Sequence, residues 1–348
     1  MKYDFDEEIE RRGTDSVKYD ALQRVFGTED IIPLWVADMD FRTPEFITGA
    51  LEERLKHPIL GYTFRNDDYF GAIVRWVETR NGWRIDPAWI GFTPGVVAGF
   101  SLAIRALTRP GDAVLIQPPV YPHFPDAILR NGRRVIENRL KRAEGRYEID
   151  FDDFARKIKT VKAFLMCNPH NPTGRVFSPA ELEKMAALCR EHGVMVISDE
   201  IHSDLVYAPH RHVHIGALLP ERSVTLFAPS KTFNTAGLFS SVSVIPDPAL
   251  RKAFDEELER THIGAGTIFG NIALPAAYTY GAGWVDQLVA YLDGNCTYVN
   301  DFIRREMPRI RSYKPEATYL MWLDFSDLFA TEEETAEFLL REAKLGLN

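Results

Sequence analysis

Cysteine is scarce in this chain. The three present, Cys167, Cys189 and Cys296, are odd in number, far apart and in no Cys-x-x-Cys pair, which argues against a disulfide framework or a zinc site. A reducing cytoplasm fits that usage. No run of about 20 apolar residues occurs, and the opening MKYDFDEEIERRGTDS is acidic and polar where an export signal needs an apolar core. A soluble, unexported, cytoplasmic protein without membrane association is expected. Basic charge is also in deficit: 41 Lys and Arg against 50 Asp and Glu leave a net −9, whereas nucleic acid draws clustered basic side chains. The cluster from Arg130 to Arg142 is interrupted by Asn, Gly and Glu and reads as a solvated face. Internal repeats, low-complexity tracts and obvious linkers are missing too.

What is present is a globular composition, 45% hydrophobic and 26% charged over 348 residues, enough for about two domains at ~150 residues each. Ser178-Pro179-Ala180-Glu181 supplies a capping Ser, a Pro at the first helical position and a Glu three residues after the cap. Leu182, Met185, Ala186, Leu188 and Cys189 then recur at helical spacing until Gly193, which can take the left-handed stop. Ala163 to Cys167 and Val194 to Ile197 flank that helix as short apolar runs, the pattern of buried parallel strands. A βαβ unit of this kind places ligands beyond the carboxyl ends of its strands. Ala113 to Ile116 and Val224 to Ala228 add two more strands. Trp89 to Phe92, the turn Thr93-Pro94-Gly95 and a helix from Val96 to Leu107 form a further strand, turn and helix. The start of such a helix suits an anion, although many similar turns bind nothing.

Three polar features stand at strand ends. Asp199 follows Val194 to Ile197; taken alone, it reads as a capping residue. Asn171 lies in Asn168-Pro-His-Asn-Pro-Thr-Gly174, a loop stiffened by two Asn-Pro steps; alone, it reads as a proline-rich turn. Lys231 ends another strand, where desolvation lowers the amine's basicity as imine-forming lysines require; alone, it reads as surface.

Taken in order, Thr93-Pro-Gly-Val-Val97, Pro119-Val-Tyr-Pro-His-Phe124, Asn168 to Gly174, Asp199-Glu-Ile-His202 and Ser230-Lys-Thr-Phe-Asn234 resemble the fold type I pyridoxal 5′-phosphate enzymes of the aminotransferase superfamily, from about Tyr3 to the end. The resemblance implies an α/β fold with a mostly parallel central sheet flanked by helices, plus a smaller α+β domain. It implies that Lys231 carries the cofactor as an imine and later moves the substrate Cα proton, while Asp199 pairs with the pyridine nitrogen. Asn171 is implied to bond the phenolic oxygen and Tyr121 to stack on the ring. Gly95, Val96, Val97 and Ser230 are implied to hold the phosphate, with Tyr62 reaching it from the neighbouring subunit of a homodimer. His202 falls where many relatives have Tyr.

Pro33-Leu-Trp-Val-Ala-Asp-Met-Asp-Phe41 and Ser230 to Leu238 are similar to the MalY/PatB type of cystathionine β-lyase. Transaminases of this fold commonly carry Arg eight residues after the lysine, where this chain has Phe239. The resemblance therefore implies α,β-elimination from L-cystathionine or another S-substituted cysteine. An aminotransferase, or a regulator that keeps the fold and binds a partner protein, is the alternative. The family's carboxylate-binding Arg lies in a segment beyond a helix like Glu332 to Lys344, so the chain is expected to be truncated; Arg341 does not match that motif. Ala37 and Asp38, with Tyr121 and Asn171, are the substrate-side candidates; Trp35 is a weaker one, since it and Phe41 are expected to pin the arm. The expected division is 1–61 (arm and part of the small domain), 62–263 (cofactor domain) and 264–348 (small domain).

Overall fold

The computed structural model describes residues 2–143 and 145–348. Its centre is a seven-stranded sheet: β1 (Ile90–Thr93), β2 (Ala113–Ile116), β3 (Arg134–Glu137), β4 (Ala163–Cys167), β5 (Met195–Asp199), β6 (Ser223–Phe227) and β7 (Ser241–Val244). The order is β1-β7-β6-β5-β4-β2-β3. Only β7 runs against the others, pairing antiparallel with both β1 and β6.

Alternation along each strand explains the layers. On β2, Val114 and Ile116 join the apolar cluster that holds Phe100, Phe254 and Leu258. Ala113 and Leu115 join the opposite cluster, with Phe154, Leu182 and Met185. All four β2 residues are buried, so the strand reads as a continuous apolar run rather than an alternating one.

Helices α1 (Glu45–Leu55), α2 (Asp67–Asn81), α3 (Val96–Leu107) and α4 (His123–Arg130) precede β3. The later ones used below are α5 (Phe151–Lys157), α6 (Pro179–His192), α7 (Pro248–Glu259), α8 (Ile268–Tyr280), α9 (Ala282–Glu306) and α10 (Glu332–Arg341). The start and stop of α6 agree with the sequence pattern: Ser178 and Glu181 form a reciprocal capping box, and Gly193 closes the helix at φ 70. No described helix is long and apolar enough to cross a membrane.

Two expectations need correction. The helix beginning at Glu332 stops at Arg341, because Lys344 turns to φ 55 and Leu345–Gly346 pairs in parallel with Ile32–Pro33 of the arm. Arg133, within the stretch read as a solvated face, is buried: its guanidinium donates to the Thr108 hydroxyl and carbonyl at 2.9 and 2.6 Å. Those acceptors replace the water that burial removes.

Candidate active site

Register brings the polar strand ends together. Cys167 of β4 stands opposite Asp199 of β5, and Asp199 opposite Leu226 of β6. The loops carrying Asn171, Asp199 and Lys231 therefore leave one edge of the sheet as neighbours. At the same edge β1 runs into Gly95, whose φ of 154 is a conformation few side chains adopt. Val96 and Val97 then open α3, with Val97 partly exposed.

Asp199 is 5% exposed and accepts the Ile201 amide at 3.1 Å. Burial pushes its carboxyl up to about 7, against that hydrogen bond and the pull of Lys231. Burial likewise lowers the Lys231 amine, while Asp199 and Asp38 support its charge. The amine donates to the Ala37 carbonyl at 2.6 Å. Tyr121 is half-buried, and its phenol is raised by burial and by Asp199. His202 is buried, and among the described residues neither ring nitrogen has a hydrogen-bond partner; burial, and next Lys231, lower it to about 3.

Asn171 is half-buried, in a loop whose Asn168–Pro169 and Asn171–Pro172 bonds are both cis. Its amide donates to Cys167 Sγ at 3.4 Å. Ser230 precedes Lys231 on the short helix Pro229–Thr232 and is half-buried. Tyr62 is fully exposed. Asp38 is committed to Arg11, accepting from Nη1 and Nη2 at 3.0 and 2.8 Å. Trp35 donates to the Lys18 carbonyl and packs edge-on to Phe26, both within the arm itself, whereas Phe41 packs on Phe5 and on Tyr291 of the carboxy-terminal part, as expected for a residue that pins the arm. Arg341 pairs with Glu337 on an exposed face.

Three features escaped the sequence reading. Asn234, at φ 59, bonds the backbone of the arm. Tyr319, from the carboxy-terminal part, donates to the Ala37 carbonyl at 2.8 Å. Glu200 faces away from Asp199 into a fully buried cluster, where Oε2 accepts from His212 at 2.8 Å and from His214, and Oε1 accepts from Ser198 and the Ile215 amide. Burial opposes its charge, yet His214 and His212 hold the carboxyl down at about 2. The facing atoms of Glu200, His212 and His214 lie within 4.8 Å of one another. The only signal available for the cluster was the His212-Val-His214 spacing downstream of Asp199-Glu200.

A mostly parallel sheet whose strand ends deliver a desolvated lysine, a buried aspartate and an asparagine loop defines a fold type I enzyme. The chain belongs to the aminotransferase class I and II family, whose model matches residues 29–346. It is 44% identical to cystathionine beta-lyase PatB of Bacillus subtilis over 348 residues, 99% of this chain and 90% of that protein. Its structure is similar to that of a PLP-bound putative aminotransferase from Clostridium difficile (TM-score 0.98, 39% identity, covering 100% of this chain and 91% of that one). It is also similar to a PLP-bound C-S lyase from Staphylococcus hominis (TM-score 0.92, 35% identity, covering 99% and 89%).

Proposed function

We propose that the chain is a pyridoxal 5′-phosphate-dependent C-S β-lyase, which cleaves L-cystathionine or a related S-substituted cysteine to a thiol, pyruvate and ammonia. The observation that carries this reading is the placement of the buried Asp199 and the half-buried Lys231 at the ends of neighbouring strands. The buried residues fit the cofactor. Among the described residues, Asp199 is buried with the Ile201 amide as its donor and both His202 nitrogens are without a hydrogen-bond partner, so a cationic ring beside the carboxylate would satisfy the site.

Lys231 would hold the cofactor covalently, Asp199 would pair with its ring nitrogen, Asn171 with its phenolic oxygen, and Tyr121 would cover one face. The amides of Gly95, Val96 and Val97 and the Ser230 hydroxyl would hold the phosphate, where the amino end of α3 favours an anion. Tyr62, exposed on its own subunit, would complete the site of a second copy in a homodimer. Ala37 and Asp38 are the arm's contributions beside the substrate.

When bound, the cofactor supplies an electron sink for the pair released at substrate Cα. With its amine free of the cofactor, Lys231 would take the Cα proton, and its lowered basicity would let it act as a base at working pH. The Cβ–S bond would break with its electrons on sulfur, the proton held by Lys231 would pass to the departing thiolate, and water would convert the remaining three-carbon fragment to pyruvate and ammonia. Phe239, exposed at φ 48 where transaminases of this fold carry Arg, supports the lyase.

We further propose the division 1–61, 62–263 and 264–348, with the arm joined to the last part through Ile32–Pro33 and Leu345–Gly346. The division is one of roles, since residues 273–296 share an apolar cluster with residues 69–90. Three buried free thiols suit a reducing cytoplasm.

The test is to supply purified protein and cofactor with L-cystathionine and follow thiol and pyruvate, beside a 2-oxoglutarate-dependent control. Equal thiol and pyruvate, absent in Lys231→Ala, are expected. Keto acid formed only with 2-oxoglutarate would replace the lyase by a transaminase.

A further inference from the structure

The Ala37 carbonyl accepts from two donors that lie far apart in sequence: Lys231 Nζ at 2.6 Å and the Tyr319 hydroxyl at 2.8 Å. A carbonyl oxygen has two lone pairs, and here each has a donor. Tyr319 is aimed there by its own backbone. Thr318, just before it, is fully buried at φ 72, a conformation that is costly for a β-branched residue. The Thr318 amide donates to the Leu205 carbonyl at 2.8 Å, and its carbonyl accepts from the Tyr207 hydroxyl. The Tyr319 ring meets His202 edge-on, with centroids 5.9 Å apart. Burial, and then Asp38, raise its phenol, so it stays a neutral donor across the working range.

We propose that the Ala37 carbonyl and the Tyr319 hydroxyl form a resting site for the Lys231 amine, occupied whenever that amine is not bonded to the cofactor, and that Tyr319 is a positioning residue. This rests on the reading of Lys231 as the cofactor lysine. Each departure of the amine leaves a half-buried carbonyl that still has one donor, because Tyr319 stays. Without the hydroxyl, the carbonyl would depend on Lys231 alone. The amine would then be held more tightly in its charged form, and its departure would be slower, since an acceptor that loses its last donor in a partly desolvated site is costly.

The titratable groups facing Lys231 are Asp199 at the end of β5, Asp38 on the arm and His202 in the following turn. Tyr319→Phe leaves all three in place and keeps the ring edge against His202. The experiment adds pyridoxal phosphate to the full cofactor-stripped chain and follows the rate of lysine–cofactor bond formation by absorbance across pH. In Tyr319→Phe, bond formation about tenfold slower and a pH profile displaced to the alkaline side are expected. Ring-fluorinated tyrosine at 319, a stronger donor of nearly the same shape, moves both the other way and covers the case in which the phenylalanine chain folds poorly. Wild-type rates and pH profile in both variants would overturn the resting site. Absence of the bond in the wild-type chain, or its persistence in Lys231→Ala, would instead overturn the assignment of Lys231.

Discussion

Asn234 and Met39 are joined twice: the Met39 amide donates to Asn234 Oδ1 at 3.1 Å, and Asn234 Nδ2 donates to the Met39 carbonyl at 2.8 Å. The side-chain amide thus copies a backbone pairing, and it reaches the Phe41 carbonyl as well. Asn234 does this from φ 59, a conformation that Asn tolerates better than most residues. It lies three residues after Lys231, so the same contact that fixes the arm fixes Ala37 over the lysine.

Asn234→Ala is therefore expected to cost about 2–4 kcal/mol, from the lost hydrogen bonds and the unfavourable φ. Chemical denaturation measures this. Asn234→Gly, which relieves only the backbone, should recover less than half of the loss; full recovery would show that the clamp contributes nothing.

Asp199 gives the cofactor-free chain a pH dependence whose sign follows from its raised carboxyl. Between an ordinary carboxyl value near 4 and its folded value of about 7, the folded state binds more protons than the unfolded one. Its contribution is thus fully present at low pH and is lost as pH rises to 7, by up to about 4 kcal/mol. Urea unfolding of the wild type and Asp199→Asn at pH 5 and pH 8 should show a gap between the chains that depends on pH. A gap that is the same at both values would count against the buried, unpaired carboxyl.

Glu200 satisfies four donors at once from a site without solvent. Glu200→Ala strands them all, with an expected loss of about 3–5 kcal/mol. Glu200→Gln keeps one acceptor oxygen and lets each imidazole change tautomer, so about 1–2 kcal/mol is expected. Thermal unfolding of both chains would decide; equal losses would mean that shape rather than hydrogen bonding fills the cluster.

The βαβ elements were legible because their signals are local. Ser178, Glu181 and Gly193 mark the ends of α6 by themselves, and the runs at β2 and β4 need only be apolar and short. Lys231, Asp199, Asn171 and Tyr121 were legible as a resemblance and as strand-end positions. Asn234, Tyr319 and the Glu200 cluster were not, because their roles depend on contacts across the fold. Tyr319 meets Ala37 from 282 positions away, and no periodicity records such a meeting. Arg133 misled for the opposite reason: its immediate neighbours in sequence are exposed, while its guanidinium turns inward to the Thr108 hydroxyl and to the Thr108, Arg105 and Asn131 carbonyls.

Gly174 closes the Asn171 loop at φ 68 and receives the Glu316 and Ala317 amides on its carbonyl, each at 2.9 Å. A Cβ there would lie 2.5 Å from the Pro315 Cβ and 3.2 Å from the Ala317 carbonyl. Neither neighbour is the end of a flexible side chain, so the 315–317 segment would have to shift, and it leads directly to Thr318 and Tyr319. Gly82, at φ 69, has open space around the same position and makes the matching control. Gly82→Ala should cost about 1 kcal/mol, the left-handed penalty alone. Gly174→Ala adds a backbone collision and should cost about 3 kcal/mol or more, and it should slow lysine–cofactor bonding through Tyr319. Urea unfolding of the two chains side by side isolates the steric part; losses of equal size would mean that the 315–317 segment yields freely and does not hold Tyr319 in place.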